Sequence, residues 1–177
     1  MKLIGASIAL ICCFGGCIVS KRGKAIESWE TTNGYFKIRV VTYKEDINWG
    51  LPGTFYVFSS SLSNEDTWTE AMVLRHDDDP PIPRDNIRFV SDQIGYMFMG
   101  VMYAVTTDAG KTWSVWDSTK NIPDWSGYQH GYIKDLQLSP DGNGLMIMRP
   151  PDDPSRKDIT DTQFRTNDFG RHWDIKR

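Results

Sequence analysis

From residue 35 onward, apolar side chains recur at every second position. In "YFKIRVVTY" (35–43), Phe36, Ile38 and Val40 fall on one side and Lys37 and Arg39 on the other, the alternation of a strand with one buried face. "TFYVFSS" (54–60) is β-branched and aromatic nearly throughout and reads as a strand covered on both faces. "NIRFV" (86–90), "GYMFMG" (95–100) and "VMYAVTT" (101–107) follow at close spacing. "IKDLQLS" (133–139) and "GLMIMRP" (144–150) flank a turn cluster whose Asp-Gly and Asn-Gly steps accept positive φ. "DTQFRTND" (161–168) leads into a last turn. No segment sustains a helical period, so the pattern predicts an all-β chain.

One turn is written twice. Thr106-x-Asp108-x-Gly110-x-Thr112-Trp113 returns as Thr166-x-Asp168-x-Gly170-x-His172-Trp173, with His172 in the second threonine place. An eroded third copy, Ser61-x-Ser63-x-Glu65-x-Thr67-Trp68, lacks both the Asp and the Gly. The tryptophans stand 45 and 60 residues apart, near the roughly 40–50 residues of one propeller blade. An aspartate can accept backbone N–H groups within its own turn, glycine can take a left-handed conformation, and tryptophan can cover the hairpin with a large apolar face. Thr106, Asp108, Gly110, Thr112, Trp113, Thr166, Asp168, Gly170 and Trp173 are therefore expected to fasten strand corners rather than to do chemistry.

These residues resemble the Asp-box (BNR-type) repeat of sialidases and of Asp-box assembly factors. The resemblance implies a small or incomplete β-propeller built from Asp-box hairpins, with a β-sandwich as the alternative. It does not extend to sialidase chemistry. Those enzymes bring an arginine cluster, a tyrosine–glutamate nucleophile pair and an acid aspartate together from many blades. This chain is too short for that, and no matching arginine motif follows its leader, so no catalytic residue is carried over.

The first residues follow another pattern. Lys2 gives a positive start, residues 3–14 form an apolar run, and "FGGC" (14–17) closes it. Such a run is shorter than the about 20 residues a membrane-spanning helix needs and has the order of a secretory signal. The small residues before Cys17 resemble the lipobox of bacterial lipoproteins, although Phe14 stands where an aliphatic residue is usual. An ordinary secretory signal with an incidental cysteine is the other reading. The resemblance implies a signal peptide over residues 1–16, acylation of Cys17, and the periplasmic side of the outer membrane, because Ile18 rather than Asp follows the cysteine. Residues 17–30 then read as a lipidated basic tether and 31–177 as a single Asp-box β domain. Cys12, Cys13 and Cys17 are the chain's three cysteines, so the body beyond them has no thiol for a disulfide, a zinc site or a nucleophile.

A net charge of −3 gives no basic face for nucleic acid. His76, His130 and His172 lie in unrelated contexts without paired ligand spacing. Asp77, Asp78 and Asp79 offer oxygen ligands for calcium, but adjacent side chains diverge and the following prolines favour an extended loop. Neither a GxSxG elbow nor a glycine-rich phosphate loop occurs. The expectation is a protein with no catalytic residues, metal or cofactor.

Binding remains. "NIPDWSGYQHGY" (121–132) gathers Trp125, Tyr128, His130 and Tyr132 among glycines, "RPPDDPSRKD" (149–158) carries Asp152 and Asp153, and "RHDDDPPIPRD" (75–85) carries Asp77, Asp78 and Asp79 as a third candidate contact segment. Tyrosine and tryptophan dominate contact energy at protein interfaces, and acidic loops steer basic partners. The blander reading makes the aromatics core and the charged loops merely solvated. A small envelope lipoprotein with Asp-box hairpins resembles the immunity lipoproteins of type VI secretion, which neutralise phospholipase effectors. That resemblance implies a protein partner, a cognate lipase effector blocked by occlusion. The alternative is a glycan-binding or envelope-assembly module.

Overall fold

The structure, a computed structural model, describes residues 21–46, 53–76, 82–122, 131–150 and 160–176. Within them the chain is all-β and forms three four-stranded antiparallel sheets. The first holds β1 (Lys21–Thr32), β2 (Phe36–Asp46), β3 (Thr54–Leu62) and β4 (Thr69–His76). The middle one holds β5 (Ile87–Phe89), β6 (Gly95–Met99), β7 (Met102–Thr106) and β8 (Ser114–Asp117). The last holds β9 (Tyr132–Leu138), β10 (Gly144–Arg149), β11 (Thr162–Thr166) and β12 (Asp174–Ile175). Each sheet is a meander in chain order, and among the described residues no strand pairing joins one sheet to another. The helical pieces described are a 3₁₀ turn at Arg84–Asn86 and a single turn, α1 (Ser118–Asn121). The Asp117 carboxylate caps α1 by accepting the Thr119 N–H at 3.0 Å.

The period of two places two cores, one on each side of the middle sheet. Tyr96 and Phe98 of β6, with Tyr103 and Val105 of β7, pack against Leu136, Met146, Met148, Phe164 and Trp173 of the last sheet. Ile87, Met97 and Ala104 face the other way, against Phe36, Ile38, Val40, Tyr56, Phe58 and Met72 of the first sheet. Burying each such large side chain stabilises by about 1.5–3 kcal/mol. Gly95 leaves room for the Phe36 ring in this second core, since a Cβ there would lie 2.8 Å from it. Phe36 in turn meets Phe89 edge-on, with centroids 4.9 Å apart.

Polar joints lock the stack as well. The Arg84 guanidinium lies over the Trp29 ring, 4.9 Å from its centroid, joining the first sheet to the middle one. Arg88 of β5 donates through Nη1 to the Leu136 carbonyl at 2.9 Å and through Nη2 to Asp135 Oδ1 at 2.7 Å, joining the middle sheet to the last.

The tether reading requires correction over residues 21–30. They belong to β1, which is laddered to β2 from Lys21↔Asp46 to Thr32↔Lys37, with register shifts around Ala25. As an edge strand β1 is held by backbone pairing, so most of its side chains stay in solvent and show no apolar period; Ile26, for one, is 52% exposed. Cys17 lies outside the described residues.

Candidate functional site

Each Asp-box occupies the hairpin between the third and fourth strands of its sheet: residues 106–113 between β7 and β8, and 166–173 between β11 and β12. The eroded copy, 61–68, holds the same place between β3 and β4. In the middle sheet Thr106 Oγ1 accepts the Gly110 N–H at 2.9 Å and donates to Asp108 Oδ1 at 2.8 Å. Asp108 also takes the Thr112 N–H at 2.9 Å and the Thr112 hydroxyl at 2.6 Å. Burial opposes the Asp108 charge, but the Thr112 hydroxyl and N–H, then Thr106, outweigh it and hold this carboxyl below the usual range.

The last sheet repeats the pattern atom for atom. Gly170 N–H reaches Thr166 Oγ1 at 3.0 Å, Thr166 donates to Asp168 at 2.7 Å, and His172 N–H reaches Asp168 Oδ1 at 3.1 Å. The His172 ring is exposed, and its Nδ1 stands 2.5 Å from Asp168 Oδ2, where the Thr112 hydroxyl stands in the other box. Burial again opposes the charge, yet His172 and Thr166 lower the Asp168 carboxyl to about 2. Both boxes place two successive residues left-handed, Ala109 (φ 59°) with Gly110 (79°) and Phe169 (60°) with Gly170 (84°). The sequence points to the glycine at this corner but not to its neighbour. The neighbour's N–H anchors the box to the first hairpin of its own sheet: Ala109 to Gln93 O at 2.8 Å, Phe169 to Gly142 O at 3.0 Å.

The tryptophans do more than cover their hairpins. Trp113 Nε1 donates to Ser60 Oγ at 2.9 Å, and Ser60 donates to the Gly110 carbonyl at 2.5 Å. Trp173 Nε1 donates to the Tyr103 hydroxyl at 2.9 Å, and Tyr103 donates to the Gly170 carbonyl at 2.6 Å. Each box thus clamps a hydroxyl on the third strand of the preceding sheet. Burial pushes the Tyr103 phenol up to about 12, so it keeps its proton and remains a donor. Ser60 and Tyr103 have no local signal in the sequence. Among the described residues the eroded box makes no such joint: Trp68 is covered instead by Arg39 of its own sheet, whose guanidinium lies 3.9 Å from the ring centroid.

The alternation of strand direction then sorts the connections. The short turns 33–35, 63–68, 90–94, 107–113, 139–143 and 167–173 all leave one end of the sheets, the box end. Residues 47–53, 77–86, 118–131 and 150–161 all leave the other end, with only the tight β6–β7 turn beside them. The sheets are aligned: Asn33 Nδ2 donates to Ser91 O at the box end, at 2.9 Å, and Ile133 N donates to Gly100 O at the opposite end, at 2.8 Å. The strand ends that flank the three segments singled out in sequence for binding therefore lie at one end, the loop end.

Of the candidate contact residues, Tyr132 is described. It is the first residue of β9, opposite Arg149 in the ladder, and is 42% exposed. Arg149 Nε bonds Asp161 Oδ1 at 3.0 Å and Lys134 Nζ bonds Asp161 Oδ2 at 2.5 Å, giving this corner a fixed set of charges. Those two cations, Lys134 first, hold the Asp161 carboxyl below its ordinary range. Trp125, Tyr128, His130, Asp77, Asp78, Asp79, Asp152 and Asp153 lie outside the described residues. Among the described residues, no three or more His, Cys, Asp or Glu side chains are grouped as metal ligands would be. Comparison with protein-family models, with curated proteins and with solved structures gave no match.

Proposed function

We propose that this chain is a binding protein of the bacterial envelope, anchored through an acylated Cys17, that captures a toxic secreted enzyme with its loop end. The three meanders are read as blades of an incomplete propeller, since each is a four-stranded sheet in chain order whose outer hairpin carries the box. The observation that carries the proposal is the division of labour between the two ends. At the box end, Asp108, Asp168 and both glycines are taken up by hydrogen bonds within their turns. At the other end stand the strand ends that lead into the acidic and aromatic segments, with Tyr132 exposed beside the Lys134–Asp161–Arg149 cluster. Loops on a rigid β scaffold are where binding residues concentrate.

The partner that fits best is a type VI phospholipase effector, neutralised by occlusion of its active site. Deleting the chain from a strain that carries such an effector should render it sensitive to attack by its siblings, with rescue by the plasmid-borne chain; undiminished survival removes the reading. A pull-down from envelope extract should yield one tight protein partner. Binding to saccharides on a glycan array, lost on Trp125→Ala, would instead support a glycan-binding or envelope-assembly module.

A further inference from the structure

The direction of β1 decides which way the domain faces. β1 runs from Lys21 to Thr32, and Thr32 enters the 33–35 turn at the box end. Lys21 therefore lies at the loop end, where it is opposite Asp46, the last residue of β2 before the 47–53 connection. There the first hairpin runs past its sheet, because Lys44 is already opposite Thr54, the first residue of β3. The chain between Cys17 and Lys21 is short. Four residue steps span at most about 14 Å, and the two extra strand pairs add about 7 Å.

On the reading of Cys17 as a lipid anchor, we infer that the loop end faces the bilayer, at a distance of about 20 Å or less, and that the box end points away from it. A small globular protein is about 30 Å across, so a partner floating free in the periplasm does not fit between the loop end and the lipid. A globular partner resting on the headgroups meets the same limit, so a partner of the loop end, such as an enzyme with a phospholipid substrate, fits only by entering the headgroup region or by approaching from the side. Lys24 is exposed in this first stretch of β1, and its charge suits the anionic headgroups of such a surface.

The test uses the full acylated chain in phosphatidylethanolamine–phosphatidylglycerol vesicles, with an added cysteine carrying a fluorophore and a headgroup-linked acceptor in the bilayer. Lys120→Cys labels α1 at the loop end, and Asp92→Cys labels the β5–β6 turn at the box end; both positions are exposed. Energy transfer should be at least about twofold greater from position 120, because transfer falls steeply over the length of the sheets. Equal transfer, or greater transfer from position 92, overturns the orientation. Inserting a flexible Gly/Ser segment of roughly twenty residues between Ser20 and Lys21 should abolish the difference; if the difference persists, the short anchor is not its cause and the inference fails. Mass spectrometry of the membrane fraction separates the two claims. Absence of acyl chains on Cys17 removes the anchor reading itself, whereas an acylated chain with the box end nearer the lipid removes only the orientation.

Discussion

Trp173 and Tyr103, 70 residues apart in sequence, meet with the indole N–H donating to the phenolic oxygen at 2.9 Å across the joint between the middle and last sheets. That oxygen also accepts from Asn121 Nδ2 at 3.1 Å, and its own O–H donates to the Gly170 carbonyl at 2.6 Å. Tyr103→Phe keeps the ring and its stacking on Trp116 but leaves a buried indole N–H and a buried carbonyl unpaired. Each orphaned group costs about 1–3 kcal/mol, so a loss of about 2–6 kcal/mol is expected for the two together, read as a lower urea midpoint with unchanged slope. Combining it with Trp173→Phe should add much less than the sum of the single effects, because both act on one bond. Full additivity would separate the two residues energetically.

Gly110 has φ 79°, and a Cβ on it would come 2.9 Å from the Ser60 Cβ and 3.1 Å from the Phe36 ring. Gly110→Ala thus combines left-handed strain of about 1–2 kcal/mol with overpacking of about 1–3 kcal/mol. A destabilisation of at least 2 kcal/mol is expected in thermal or urea unfolding, on the order of those two terms together. The neighbouring change is much milder. Ala109 has φ 59° and a buried methyl group, so Ala109→Gly sets strain relief of about 1–2 kcal/mol against chain entropy of about 0.5–1 kcal/mol and about 0.8 kcal/mol of lost burial. A change within about 1 kcal/mol of zero is expected; a loss as large as that of Gly110→Ala would contradict the strain argument.

The two box carboxylates also set an acid limit. Asp168 titrates at about 2 in the folded chain against 3.8 for an unhindered aspartate. Its folded value is the lower one, so its contribution is complete above about pH 4 and is lost as the pH falls through about 2. Solvent reaches part of this side chain, 31% of it, which reduces the stake to on the order of 1 kcal/mol. Asp108 shifts in the same direction and steepens the same limb. Asp168→Asn should lower stability at neutral pH and flatten the decline between about pH 4 and 2. An unchanged acid limb in that variant would mean that other carboxyls govern it.

The buried strands were legible because each stands between two neighbours and buries at least one face. Val40, Phe58, Met97, Met146 and Phe164 alternate with solvent-facing or second-face residues, as the period of two requires. β1 was illegible for the converse reason: an edge strand ordered by its backbone needs no apolar period, and its basic residues read as a tether. The boxes could be read from Thr106, Asp108 and Gly110 because their bonds span four residues or fewer. Their anchor points could not, since Ser60 and Tyr103 lie 53 and 70 residues from the tryptophans they receive. Gathering of the long connections at one end was within reach of the sequence, because successive antiparallel strands send every second connection to the same end. Strand number was the missing quantity: β4 and β8 lie between strands that were read, and overlooking either one reverses the end to which the later connections are assigned.

Two exposed tyrosines test which end holds the partner. Tyr132 opens β9 at the loop end, and Tyr35 sits in the β1–β2 turn at the box end, 58% exposed. Neither is core, so Tyr132→Ala and Tyr35→Ala should each change stability by no more than about 0.5 kcal/mol. An interface tyrosine near the centre of a contact is worth about 2 kcal/mol or more on truncation, which is more than tenfold in Kd. With the captured effector as ligand, Tyr132→Ala should weaken binding at least about tenfold, mainly through faster dissociation. Tyr35→Ala should leave binding within about twofold, as expected for a residue outside the contact. Should Tyr35→Ala weaken capture while Tyr132→Ala does not, the partner sits on the box end, and the assignment of that end to structural turns alone is wrong.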